Sequence, residues 1–328
     1  MRWSEPALLL AAAFAISCFA TAWARAHARS RGLMDLPGER RSHDLPTPRG
    51  GGIGIALAGL CACGWLAWVG SGAWIWVAVG LALVAGAGWW DDHRPLPAWP
   101  RLLAHLVAGA SLSAGMLQLG TPAAAAMAAL LLVPVLVNVW NFIDGIDGLA
   151  TSQALLAALA FAWVLDGPGR VLALVVAAAC CGFLPFNLPK ARIFLGDVGS
   201  GALGYLLAAL VVLGFSGLSA EWWPILLLPL ASCLVDAGMT LAGRMFRGEA
   251  WWQPHVQHLY QRLARSHGHP RVTLGYAGWT ALSIGIMLGL YRAPEGWARV
   301  GTAIFFGLSI VAWRGLHRRL GNASEGTV

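Results

Sequence analysis

Charge is what this sequence has least of. Among 328 residues only 11% are Asp, Glu, Lys or Arg, while 58% are hydrophobic and the mean hydropathy is +0.65. Soluble domains carry about 25% charged residues, so a water-soluble fold is excluded and the chain belongs in a bilayer. No linker, low-complexity block or fixed-period repeat divides it, which leaves one integral-membrane domain over residues 1–328. The six cysteines (Cys18, Cys61, Cys63, Cys180, Cys181 and Cys233) all fall in apolar runs. They lack metal-ligand spacing, so they read as small packing residues and say nothing about redox compartment.

What the chain does have is apolar runs of about 17–25 residues, the length that crosses a hydrocarbon core. Eleven stand out, near 6–24, 50–69, 73–90, 101–119, 122–140, 149–165, 170–186, 200–217, 223–242, 273–290 and 297–313. The expected fold is therefore all-α and polytopic, with about eleven transmembrane helices. The first run ends on Ala22 and Ala24 like a cleavable leader. Arg25, Arg29 and Arg31 follow at once as a cytoplasmic flank, so it reads as an anchor. With the N-terminus outside, eighteen of the 22 basic residues fall in inside loops, which is the bias that orients membrane proteins. The C-terminus is then cytoplasmic. The net charge of +7 follows from the same bias and does not argue for nucleic acid. Part of it suits anionic headgroups or phosphates.

On that topology every unusual polar cluster lies on the cytoplasmic side. The loops read DLPGERRSHDLPTPRGGG (35–52), DDHRPLPAWPR (91–101), NFIDGIDG (141–148), NLPKARIFLGDVGSG (187–201) and a long segment from Gly243 to about Val272 containing PHVQHLYQRLARSHGHP. Asp91, Asp92, Asp144, Asp147 and Asp197 each sit at or near a span end. Carboxylates gathered in low dielectric need compensation, and oxygen ligands joined by substrate phosphates are what Mg²⁺ prefers. Arg40, His43, Lys190, Arg192, His255 and His258 stand nearby as phosphate partners. Acids for a metal beside cations for phosphate point to phosphoryl transfer.

Each feature also has a plainer reading. A single Asp at a helix start often serves as a cap or dipole partner, which accounts for one of Asp91 and Asp92 but hardly both. In GDVGSG, Asp197 or Ser200 would cap, and the glycines would permit close helix approach or face an anion. His255 and His258, three apart, would share a helical face. His267 and His269 read as a solvated loop. Asp236 lies inside a span, where an acid is functional by default, unless it pairs with Arg244.

These motifs, in this order and spacing from about residue 33 to 265, resemble the polyprenyl-phosphate N-acetylhexosamine-1-phosphate transferases (glycosyltransferase family 4). The resemblance implies a reaction: a UDP-linked N-acetylated amino sugar plus undecaprenyl phosphate gives the sugar on undecaprenyl diphosphate, and UMP leaves. It implies a bacterial inner-membrane enzyme with its site facing the cytoplasm, requiring Mg²⁺, with Mn²⁺ as a substitute, and it is compatible with a homodimer. Carried over by motif, Asn141 and Asp197 would be metal ligands, and Asp91, Asp92, Asp144 and Asp147 catalytic acids. Arg40, His43, Asn187, Lys190, His255, His258 and Arg262 would bind substrate. HVQHLYQRL lacks the histidine triplet of the peptidoglycan translocase. That departure favours the branch that initiates O-antigen, lipopolysaccharide or exopolysaccharide glycans. An intramembrane prenyltransferase would repeat its acidic motif in a second half, and a transporter would place polar groups at mid-membrane in broken helices. Neither pattern is present.

Overall fold

The computed structural model describes residues 4–35, 46–250, 253, 256–294 and 296–325. Almost all of them are helical, because backbone amides in lipid must be satisfied within their own segment. The helices are α1 (Ser4–Arg31), α2 (Ile53–Val69), α3 (Trp74–His93), α4 (Ala98–Gln118), α5 (Ala123–Met127), α6 (Ala129–Ile143) and α7 (Leu149–Val164). They continue as α8 (Gly167–Asn187), α9 (Gly196–Gly217), α10 (Ala231–Phe246), α11 (Leu259–His267), α12 (His269–Leu290) and α13 (Gly296–Glu325). A 3-10 stretch, Trp223–Leu230, leads into α10. Each of the eleven expected runs coincides with a helical segment. Eight of the described segments are long and apolar enough to cross a membrane, while α2 and α7 are shorter apolar helices.

The burial pattern follows the solvent this bundle is built for. α9 is its axis: every residue from Val198 to Val212 is buried, with α2, α3, α6 and α7 packed around it. Leu8, Phe14, Phe19 and Trp23 on α1, and Ile304, Leu308 and Val311 on α13, point outward. An exposed apolar belt of this kind would aggregate in water and is satisfied by lipid. Cys61 and Cys181 are exposed on the bundle and only Cys63, Cys180 and Cys233 are buried, so the packing role holds for half of the set.

Two features depart from the all-helical expectation. Met34–Asp35 (β1) pairs antiparallel with Thr47–Pro48 (β2), placing Asp35 opposite Thr47. The segment after β2 is then zipped to the segment before α9: Phe194 N–H donates to Pro48 O, Gly51 N–H to Phe194 O and Gly52 N–H to Leu195 O. At that junction a side chain on Gly52 would collide with Gly199, so α2 meets α9 backbone to backbone. These bonds bring the first loop to the N-terminus of the central helix, where the acidic residues gather.

Candidate active site

The site is built around the first turn of α9. A helix N-terminus leaves amides without helical partners and carries a partial positive charge. Here the acceptors come from other helices. Asp92, at the end of α3, takes the Asp197 N–H at 3.0 Å and the Val198 N–H at 3.1 Å. Asp144, just past α6, takes the Gly196 N–H. The sequence-based expectation that Asp197 or Ser200 caps this helix is therefore corrected: α9 carries no side-chain cap of its own. Gly196 has φ +74°, and a Cβ there would lie 2.7 Å from the Asp92 carboxylate. Only glycine lets Asp92 come this near.

With its backbone amide taken, the Asp197 side chain is free to face the cleft. Asn141 Nδ2 donates to it at 2.5 Å and lies 3.4 Å from Ser200 Oγ. The Asp91 carboxyl is also within hydrogen-bonding reach of Asp197. Asp91 accepts from Leu96 N–H and pairs with Arg101 at 3.1 Å. Arg49 donates to the Asp92 backbone carbonyl at 2.6 Å. A cavity of about 30 Å³ opens here, lined by Arg101, His105, Asn138, Asn141, Asp197 and Ser200 over an apolar wall of Val84 and Val137. Burial pushes the half-buried Asp144 carboxyl up to about 8, and the charges of Asp92 and Asp35 add to the rise.

The chemistry of these donors fits a hard divalent cation. Two carboxyl groups as close as those of Asp91 and Asp197 repel unless a proton or a cation lies between them. The donors around them are oxygen and amide groups, which suit Mg²⁺. Among the described residues no group of three or more His, Cys, Asp or Glu forms a ready-made metal cage.

Comparison with known proteins identifies the family. A family model described as "Glycosyl transferase family 4" matches residues 74–215. The decaprenyl-phosphate N-acetylglucosaminephosphotransferase of Mycobacterium tuberculosis (strain ATCC 25618 / H37Rv) is 30% identical over 94% of this chain and 87% of its own length. The chain belongs to the polyprenyl-phosphate N-acetylhexosamine-1-phosphate transferase superfamily. The probable undecaprenyl-phosphate N-acetylglucosaminyl 1-phosphate transferase of Bacillus subtilis (strain 168) is 30% identical over 71% of the chain and 70% of its length. A phospho-N-acetylmuramoyl-pentapeptide-transferase of Heliobacterium modesticaldum is 34% identical over 50% of the chain and 51% of its length.

Within this transferase, the structure brings together Asp91, Asp92, Asn141, Asp144 and Asp197 and sets the other expected residues apart. Asp147 lies on the far side of the NFIDGIDG turn, where it accepts from Ala191 N–H at 3.2 Å and stands 3.4 Å from His269. His269 is thus half-buried at the head of α12, not in a solvated loop. Asn187 bridges two loops, accepting from Gly148 N–H and donating to Ile193 O, with both side-chain atoms engaged. Lys190 is exposed. Arg40, His43 and His255 lie outside the described residues.

His258 is the non-helical residue just before α11, so it presents no helical face. Its ring packs against Phe142 and Tyr260, and burial holds its imidazole below the ordinary value, with Asp236 opposing the shift. Arg262 turns away to His317 at 2.8 Å. Asp236 does not pair with Arg244, which binds Glu249, Ala250 O and Gln253 O instead. Sequence reasoning missed Arg101, counted only as an orienting charge, and His105 one turn further on. The available signal was two ionisable residues four apart on an apolar helix.

Proposed function

We propose that the protein transfers N-acetylhexosamine 1-phosphate from a UDP-sugar to undecaprenyl phosphate, releasing UMP and starting a lipid-linked cell-surface glycan, either of the O-antigen type or of the cell wall. The observation that carries this reading is the convergence of Asp91, Asp92, Asn141, Asp144 and Asp197 on one helix N-terminus at the edge of the bundle. We further propose eleven crossings, with the N-terminus outside and the site facing the cytoplasm of a bacterial inner membrane. The distribution of basic residues supports this orientation. N-acetylglucosamine is the donor sugar favoured here, because the relative carrying that name is 30% identical over 94% of the chain, against 50% to 80% coverage by the muramoyl-pentapeptide relatives.

In this mechanism Asp197 and Asn141 would hold Mg²⁺, which would supply positive charge to offset that of the donor diphosphate and the lipid phosphate. Asp92 and Asp144 fix the first turn of α9, so that Asp197 is presented from a rigid backbone. Asp91 holds Arg101 toward the cavity, where its guanidinium meets the acceptor phosphate. A phosphate monoester has its second pKa near 6 and is mostly dianionic at neutral pH, so attack on the β-phosphorus needs little help from a base. Direct attack is therefore favoured over a covalent aspartyl-phosphate, and a phosphorylated enzyme trapped with UDP-sugar alone would overturn that preference.

The test is a radiolabel assay with purified protein, undecaprenyl phosphate, Mg²⁺ and a panel of UDP-N-acetylhexosamines. Label entering the lipid phase from one donor, and lost with EDTA, supports the reading and identifies the sugar. Folded protein that labels no lipid with any donor contradicts it.

A further inference from the structure

A second and larger cavity, of about 330 Å³, lies between α10, α11, α12 and α13. Small-molecule sites typically run about 300–1,000 Å³, so this is room for a ligand and more than a packing defect. None of α3, α4, α6 or α9 lines it, and it is therefore separate from the cleft at Asp197. Its walls are apolar, formed by Val235, Leu263, Trp279, Trp313 and Leu316. The one acid on its lining, Asp236, is consumed by the fold. It accepts from the N–H groups of Leu259 and Tyr260, the Tyr276 hydroxyl, the Trp313 indole and Thr240. With those acceptor positions engaged, a ligand would find no open lone pair on it.

The rim has the opposite character. His267, ending α11, and Arg271, in the first turn of α12, both line the cavity and are exposed. Arg265 on α11 and Arg314, Arg318 and Arg319 on α13 are exposed nearby along the same elements. None of these basic side chains has a carboxylate partner among the described residues. A greasy chamber under an uncompensated basic rim, at a membrane surface that is itself rich in anionic lipid, is complementary to an amphiphile with a negative head. We propose that this chamber binds one anionic phospholipid, with an acyl chain between α10 and α13 and its phosphate on Arg271 and His267.

The position gives the lipid a route to the active site. Leu259, Leu263 and His267, four residues apart, turn one face of α11 to the chamber. From the other face Tyr260 donates its hydroxyl to Phe142 O at 2.9 Å and packs against Gly145, both in the NFIDGIDG turn. A chain filling the cavity braces α11 against that turn, so transfer depends on anionic lipid. This last step rests on the function proposed above.

Native mass spectrometry of the full chain, titrated with phosphatidylglycerol or phosphatidylcholine of equal acyl length, reads the binding directly. A Cβ on Gly275 meets nothing within 4 Å, so Gly275→Leu fills the chamber without disturbing the backbone. His267→Gln with Arg271→Gln removes rim charge at exposed positions. Wild type should retain phosphatidylglycerol about tenfold better than phosphatidylcholine, from one or two added charge contacts. Gly275→Leu should lose that adduct, and the double variant should lose the preference. Equal phosphatidylglycerol retention by wild type and Gly275→Leu, or no headgroup preference in wild type, overturns the site. In nanodiscs, phosphatidylglycerol added to phosphatidylcholine should raise wild-type UMP release and leave Gly275→Leu unmoved. Lipid retention as expected without transfer from any donor would sink the proposed reaction and leave the lipid site standing. Transfer with unaltered lipid retention would do the reverse.

Discussion

Two helices in this bundle have their N-termini held by carboxylates from elsewhere in the chain, with opposite consequences. At α11, Asp236 takes two backbone amides, and every remaining acceptor position is filled by Tyr276, Trp313 and Thr240. It is 1% exposed, and the arrangement is closed. At α9, Asp92 and Asp144 take the backbone amides, and the helix's own acid, Asp197, is left facing Asn141, Asp91 and a cavity. The same capping device serves structure when the donors saturate the acid. It prepares a site when borrowed acids release the helix's own carboxylate. Asp236 in mid-span, taken from sequence as functional by default, belongs to the first case. Its depth required pairing, and five donors supplied it.

Substitutions can break this contrast, and the largest effect is expected at α9. Asp144→Ala should reduce transfer by about 10²-fold through misplacement of Asp197, while costing only the roughly 0.5–2 kcal/mol of a lost helix-terminus acceptor. Normal turnover in that variant would remove Asp144 from the site. Asp236→Ala should do the reverse, costing roughly 2–5 kcal/mol because buried donors lose their acceptor. Thermal unfolding in detergent would measure it, and an unchanged midpoint would mean α11 is held by something else. Asp92→Ala falls between the two cases. Loss of an N-cap acceptor costs about 0.5–2 kcal/mol, and activity should fall alongside stability, with Asp92→Asn recovering part of both.

The smallest effect is a pH dependence at α11. Because the folded protein holds the His258 imidazole below its ordinary value, the unfolded chain takes up the proton first as pH falls. Stability should therefore be full above about 6.5 and decline below it. His258→Gln should flatten that decline between pH 7.5 and 5.5, and an identical slope in both proteins would contradict it.

The sequence made the helices legible because an apolar run of bilayer length has few alternatives. It made most of the cleft legible because Asp91, Asp92, Asn141, Asp144 and Asp197, which converge in the fold, stand within recognisable motifs. What it hid were the partners. The bond from Val198 to Asp92 spans 106 residues and that from Tyr260 to Phe142 spans 118, and no local pattern records such pairings. For the same reason Asp147, Asn187 and Arg262 look like ligands in sequence and prove, in the fold, to be engaged with neighbouring loops and helices. Arg101 and His105 escaped because their helix reads as plain membrane span until α3 and α9 are placed beside it.

One measurement bears most directly on the claim that α9 presents a metal-binding carboxylate. UMP release from UDP-N-acetylglucosamine and undecaprenyl phosphate would be followed against Mg²⁺ concentration for wild type and Asp197→Ala, with both shown to be folded. The account predicts a saturable Mg²⁺ dependence in wild type and a loss of at least about 10²–10³-fold in the variant that added Mg²⁺ does not restore. Wild-type turnover by Asp197→Ala, or undiminished turnover in EDTA, would contradict it.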